Sequence, residues 1–196
     1  GYVVYSSEFI IDFGAPERFR CNIQKMMEIG KKGVLALLCE SSYSKNDGYT
    51  SPKHKLTDKI ESIFEDATGR IIISSYAQNA FRTQEIAQLA KKYNRKICFY
   101  GRDKYDNTNT IMRIARHTKR PILDIHPSYI ADSKAISDKK NMDKLVVLLS
   151  GSPRRIYHDI LDIIDGGDEK LKLQESDTFI VASPVLPGTE KIANRA

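Results

Sequence analysis

Six short apolar runs, separated by stripes of helical period, constrain this chain more than any other feature. The runs are Tyr2–Tyr5, Val34–Cys39, Arg70–Ser75, Lys96–Tyr100, Leu145–Leu149 and Thr178–Ala182. They are mostly apolar and rich in Ile and Val, which is how strands buried on both faces of a parallel sheet read. Between them, Phe19, Ile23, Met26 and Met27 recur at i, i+4, i+7 and i+8. So do Leu56, Ile60, Ile63 and Phe64, and later Ile156, Ile160, Ile163 and Ile164. Ile86, Leu89, Ala90 and Tyr93 make a fourth stripe, and Ile111, Ile114 and Ala115 a shorter one. Each stripe gives a helix one apolar face. Ser51-Pro52 reads as a helix start, with Pro at a first helical position. Strand and helix in alternation predict an α/β fold, a mostly parallel sheet with flanking helices. Polar stretches at Tyr43–Tyr49 and Pro127–Asn141 read as loops. The chain opens directly in a β-run and stops at Asn194-Arg195-Ala196, within what reads as a new helix. It is therefore expected to be a fragment of a larger protein.

The 196 residues carry 31 Lys and Arg against 25 Asp and Glu. That modest excess hides an asymmetry. From Lys91 to Arg120 the basic residues are Lys91, Lys92, Arg95, Lys96, Arg102, Lys104, Arg113, Arg116, Lys119 and Arg120, opposed only by Asp103 and Asp106. Tyr93, Phe99, Tyr100 and Tyr105 are interleaved. Such a window suits a polyanion such as nucleic acid, or else is a solvated face with no ligand. No apolar run approaches the length of a membrane span. The three cysteines, Cys21, Cys39 and Cys98, form no C-x-x-C pair and read as reduced core thiols of a cytoplasmic protein.

In parallel α/β sheets ligands gather at the carboxyl ends of strands. Those ends carry Glu40-Ser41-Ser42, Ser74-Ser75, Gly101-Arg102, Ser150-Gly151-Ser152 and Ser183-Pro184. Helix-start N–H groups, Ser hydroxyls and nearby Arg102, Arg154 and Arg155 are the chemistry that holds a phosphate, although Ser and Gly at each place also serve as helix caps. Metal chemistry is not self-contained. His54, His117, His126 and His158 form neither H-x-H nor H-x-x-x-H. There is no P-loop, no G-x-G-x-x-G after a strand and no G-x-S-x-G.

Several segments resemble a known family. Ile29-Gly30-Lys31-Lys32-Gly33-Val34-Leu35-Ala36-Leu37-Leu38 is similar to the segment that leads into the β-CASP domain of RNase J. Gly69-Arg70-Ile71-Ile72-Ile73 and Tyr76-Ala77-Gln78-Asn79 resemble its next strand and turn. Gly101-Arg102, Ser150-Gly151-Ser152 and Ser183-Pro184-Val185-Leu186-Pro187-Gly188-Thr189-Glu190-Lys191 resemble its later strand ends. The resemblance implies a zinc-dependent ribonuclease of metallo-β-lactamase fold, acting in RNA processing and decay. In it a Rossmann-like β-CASP domain is inserted and RNA runs between the two. Residues 1–40 would end the metallo-β-lactamase part and residues 41–196 would be β-CASP. Two zinc ions would sit in the parent protein on an H-x-H-x-D-H motif upstream and histidine motifs downstream. This chain alone would hold none and would be inactive.

The resemblance also assigns roles. Glu8, in Ser7-Glu8-Phe9, falls where the family has a metal-bridging Asp, and Glu40 where it has the first acidic β-CASP residue, orienting groups near the catalytic site. Asn79, Arg82, Arg102, Ser150, Gly151 and Ser152 would meet RNA phosphates. The family's G-S-Q-G-E loop reads Gly151-Ser152-Pro153-Arg154-Arg155, and Arg154 and Arg155 can hold phosphate oxygens in its place. The His of the family's N-V-H-R stretch is Phe81. Such drift looks like the less active RNase J paralogue that pairs with an active subunit, or like divergence that keeps activity. The partners implied are RNA and a paralogous subunit in a homo- or hetero-oligomer, with no membrane. The alternatives are a non-catalytic RNA-binding or assembly subunit of a ribonuclease complex, and a small nucleotide- or sugar-phosphate-binding α/β domain.

Overall fold

A computed structural model describes residues 1–7, 9–14, 17–41, 44–45, 47–48, 57–76, 78–101 and 123–196. The chain divides into two compact units, Gly1–Lys55 and Leu56–Ala196.

In the first unit, strand β1 (Tyr2–Ser7) pairs in parallel with β2 (Val34–Cys39), and helix α1 (Ile23–Gly30) lies between them in sequence. Asn22 starts α1 by accepting the Lys25 N–H at 2.9 Å. Gly33 takes φ +83 just before β2, a conformation that glycine adopts without a Cβ clash. The apolar run Val34–Cys39 reads as a buried strand, yet every residue of β2 is exposed, and α1 buries none. Among the described residues of this unit, two strands and one helix of eight residues supply no layer to cover both sheet faces. Leu35 stands 78% exposed for that reason.

The second unit fits the expected pattern closely. Its elements in chain order are α2 (Thr57–Asp66), β3 (Ile71–Tyr76), α3 (Ala80–Lys92), β4 (Lys96–Tyr100), β5 (Leu145–Gly151), α4 (Pro153–Ile164), β6 (Thr178–Val181) and α5 (Glu190–Ala193). The strands form one parallel sheet in the order β4-β5-β3-β6. Side chains alternate across it. Ile71 and Ile73 of β3 join Ile60 and Phe64 of α2 and Ile86 and Ala90 of α3 on one face. Ile72, Val147 and Leu149 join Ile156, Tyr157, Ile160 and Ile163 of α4 on the other. Fully burying one such Ile stabilises the fold by about 1.5–3 kcal/mol. With both faces covered, the central strands can be apolar throughout, which is why they are legible as unbroken runs.

The stretch expected as a loop from Pro127 folds into three 3-10 turns, Pro127–Tyr129, Ser133–Ser137 and Lys139–Lys144. Each begins on a side-chain cap: His126, Asp132 and Asp138 accept the N–H of Ser128, Lys134 and Lys140. The stripe at Ile111–Ala115 and the helix start at Ser51-Pro52 lie outside the described residues. Of the cysteines, only Cys98 is a core thiol; Cys39 is exposed and Cys21 intermediate, because the described residues of the first unit form no closed core. Among the described residues no helix is long and apolar enough to cross a membrane.

Candidate functional site

The strand order locates a crevice. From β3 the chain leaves through α3, on one face, toward β4. From its neighbour β5 it leaves through α4, on the opposite face, toward β6. The two connections leave adjacent strands on opposite faces of the sheet, so the gap between their helix starts lies at the carboxyl edge, the usual ligand side of open α/β sheets. Here the gap lies between Ser75-Tyr76 and Ser150-Gly151, which are direct register partners.

Each lip of the gap starts a helix. On the β5 side, Ser152 holds the N-cap position of α4 with extended backbone (φ −72, ψ 161), but its hydroxyl makes no capping hydrogen bond. Pro153 has no N–H, so the first backbone donors of α4 are those of Arg154 and Arg155. Ser152 is exposed, Ser150 partly buried and Gly151 buried. Arg154 is exposed and has no partner among the described residues. Arg155 runs along the helix and its Nε meets Asp159 Oδ1 at 3.2 Å. This helix start thus offers two N–H groups, a hydroxyl and an unpaired guanidinium, a set matched to an anion.

On the β3 side the groups are more committed. Asn79 Oδ1 caps α3 by accepting the Arg82 N–H at 2.9 Å, and the Asn79 carbonyl accepts the Thr83 hydroxyl at 3.1 Å. The Arg82 guanidinium lies 2.8 Å from Glu85 Oε2, and Thr57 donates to the other Glu85 oxygen. A ligand at Arg82 therefore competes with a half-buried carboxylate. The Ser75 hydroxyl is buried without a hydrogen-bond partner among the described residues.

A polar cluster holds the edge together; the sequence reading named its Ser74, Tyr76 and Ser183 but missed Tyr157. The Ser183 and Ser74 hydroxyls are 3.2 Å apart, Tyr157 donates to the Ser183 carbonyl at 2.8 Å, and Tyr76 donates to the Pro184 carbonyl. Burial, and then the neighbouring Tyr157 hydroxyl, push the Tyr76 phenol up to about 12. The available signal was Tyr157 within the apolar stripe of α4, where a buried phenol needs a partner. Gly101 ends β4 against β5. A Cβ there would stand 2.5 Å from the Ser150 carbonyl oxygen, so only glycine lets the two strand ends approach.

Glu40 follows β2 in the first unit, exposed, with its N–H donating to the Ser7 carbonyl at 3.4 Å. Glu8 and Arg102 lie outside the described residues. Among the described residues no three His, Cys, Asp or Glu side chains stand together as a metal site. The described set does not by itself fit a dinuclear zinc centre.

The basic window divides as well. Arg102, Lys104, Arg113, Arg116, Lys119 and Arg120 lie outside the described residues. Arg95 is buried and donates to the Gly69 and Ala67 carbonyls. Lys92 is paired with Glu61, which lowers the carboxyl below its ordinary value and raises the amine. Two of the four described cations of the window are thus engaged within the fold. They also lie toward the amino end of β4, away from the carboxyl-edge crevice.

Comparison with known proteins finds one family and several relatives. The family described as "Ribonuclease J, beta-CASP domain" matches residues 68–196. An uncharacterized protein of Mycoplasma genitalium is 27% identical over 193 residues, covering 98% of this chain and 33% of that protein. Ribonuclease J 2 of Streptococcus pyogenes is 26% identical over 190 residues, covering 94% and 32%. Ribonuclease J 2 of Staphylococcus saprophyticus is 36% identical over 102 residues, covering 52% and 18%. The chain spans about a third of the length of the first of these curated relatives.

Proposed function

From the premise that this chain belongs to the ribonuclease J β-CASP family, we propose that its second unit clamps RNA for a ribonuclease, receiving a phosphate in the crevice between β3 and β5. The observation that carries the reading is the helix start at Ser152. It has an N-cap hydroxyl that caps nothing, and it stands where the strand order opens the sheet. A phosphate seated there accepts the Arg154 and Arg155 N–H groups and the Ser152 hydroxyl, while the Arg154 guanidinium closes over it. Gly151 keeps the floor free of a side chain. Asn79 and Arg82 border the crevice, with Asn79 shaping the α3 start and Arg82 drawn toward RNA only by releasing Glu85.

Residues 1 to about 40 are read as the end of a metallo-β-lactamase part, with Glu8 as a ligand position and Glu40 as an orienting carboxylate. In the whole protein, zinc would supply an activated hydroxide for phosphodiester hydrolysis. The part proposed for this chain is binding and orientation, with no step through a metal. A second reading, an assembly subunit paired with an active paralogue, draws on Glu8 in place of Asp and on Pro153-Arg154-Arg155 in place of the family loop.

Photo-cross-linking tests the clamp. A 5′-phosphorylated oligoribonucleotide carrying a photoreactive first nucleotide is expected to label the peptides around residues 74–82 and 150–155. Labelling confined to other segments would refute the placement.

A further inference from the structure

The carboxyl edge is not the only opening of this sheet. A cavity of about 690 Å³ lies at the opposite, amino edge, where β4 and β5 begin. Its walls include Arg95, Lys96, Tyr129, Asp132, Asp138 and Lys144. We propose that it is a second contact for single-stranded RNA, gripping the strand by its phosphates and one base, separate from the end-binding crevice. This rests on the reading that the chain handles RNA.

The cavity is built on a fixed frame. The turn before Ser133 runs along the outer side of β4, with Ile130 bridged to Ile97 and the Ala131 N–H donating to the Ile97 carbonyl at 2.8 Å. Asp132 and Asp138 keep their charge but are held as caps, so with Arg95, Lys96 and Lys144 the charged side chains of the wall are three cations against two anions. Asp132 accepts the Lys134 N–H at 2.8 Å; Asp138 accepts the Lys140 N–H and the Asn141 amide, each at 3.0 Å. The Arg95 guanidinium is likewise bonded inward, to two carbonyls, but leaves its charge in the wall. Lys96 and Lys144 differ. Both are exposed, neither has a partner among the described residues, and they sit at the starts of paired neighbouring strands, where Lys96 registers with Leu145. Two unpaired ammonium groups at adjacent strand starts suit successive phosphates. Tyr129 supplies a ring with the Lys91 ammonium 5.6 Å from its centroid, the aromatic-plus-cation pairing on which an unpaired base stacks. A protein partner fits less well, since no large exposed hydrophobic side chain among the described residues lines the cavity to anchor one.

The test titrates the chain and its Lys96→Ala/Lys144→Ala variant with 5′-phosphorylated and 5′-hydroxyl oligoribonucleotides of the same sequence, over a range of salt. Both lysines are exposed, and thermal unfolding verifies that the variant is folded. Losing two phosphate contacts should flatten the log–log salt slope by about 1.4, so between about 50 and 200 mM salt the parent loses roughly sevenfold more affinity than the variant. The loss should be equal for the two oligonucleotides and should be restored by Lys96→Arg/Lys144→Arg. Tyr129→Ala should weaken both without changing the slope. An unchanged slope, or a loss seen only with the 5′-phosphorylated strand, overturns the proposal. The crevice reading fails by a different sign: a parent chain that does not distinguish the two 5′ ends while the lysine variant still flattens the slope.

Discussion

Replacing Asp177 with Ala should destabilise the second unit severely, although the residue lies at the amino edge of the sheet, away from the carboxyl-edge crevice. Arg70, just before the central strand β3, is 1% exposed and holds four acceptors. Its Nε donates to Asp177 Oδ1 at 2.8 Å and its Nη2 to the other carboxylate oxygen. It also donates to the Ile136 and Lys172 carbonyls at 2.6 and 2.7 Å. The carboxylate in turn accepts the Gln174 N–H at 2.8 Å. One guanidinium thus ties the start of β3 to the turn before β6 and to the Ser133–Ser137 turn. Asp177→Ala leaves that guanidinium buried with its carbonyl partners but without a counter-charge, at a cost of about 3–5 kcal/mol. A domain has about 5–15 kcal/mol in all, so from about a fifth to all of the stability is at stake. The chain has no Trp, so urea unfolding followed by far-UV circular dichroism is the assay. The midpoint should drop sharply with m unchanged. Arg70→Met/Asp177→Leu removes both charges, and a double-mutant cycle should show coupling of about 2 kcal/mol or more. An Asp177→Ala variant within about 1 kcal/mol of the parent would refute the reasoning, because an exposed pair behaves that way.

Two further outcomes follow from the crevice. The Tyr76 phenol titrates at about 12 when folded and near 10 when unfolded. Its contribution is therefore intact below pH ~10 and lost as pH rises toward ~12; Tyr76→Phe should flatten stability across that window, as read by denaturation at stepped pH. Asn79→Ala should cost about 1 kcal/mol through the lost α3 cap, and Asn79→Ser should restore it. If RNA affinity falls far more than stability and Ser restores only the latter, Asn79 also touches the ligand.

The second unit was legible where local pattern and burial agree. Lys96–Tyr100 begins and ends as read, and β3, β5 and β6 differ from the reading by one or two residues. The order β4-β5-β3-β6 was not legible, because pairing across the sheet leaves no mark in any one strand, and with it went the knowledge that Ser75 faces Ser150. The charge window was only partly legible for a related reason. A count of cations cannot show that Arg95 spends its donors on two carbonyls or that Lys92 meets Glu61. The 3-10 turns did leave a signal, in Asp132-Ser133 and Asp138-Lys139, where an Asp cap opens each short helix. The exposure of β2 was invisible, since an apolar run states what a strand can bury and not whether a layer is there to bury it.

The central claim is that the helix start at Ser152 receives an RNA phosphate, and the most direct measurement is the affinity ratio for 5′-phosphorylated over 5′-hydroxyl oligoribonucleotide. The parent chain should prefer the phosphorylated strand, and Arg154→Ala/Arg155→Ala should reduce that preference while the helix stays folded. Equal affinity for the two strands in the parent, or an unchanged preference in the double variant, would contradict the account.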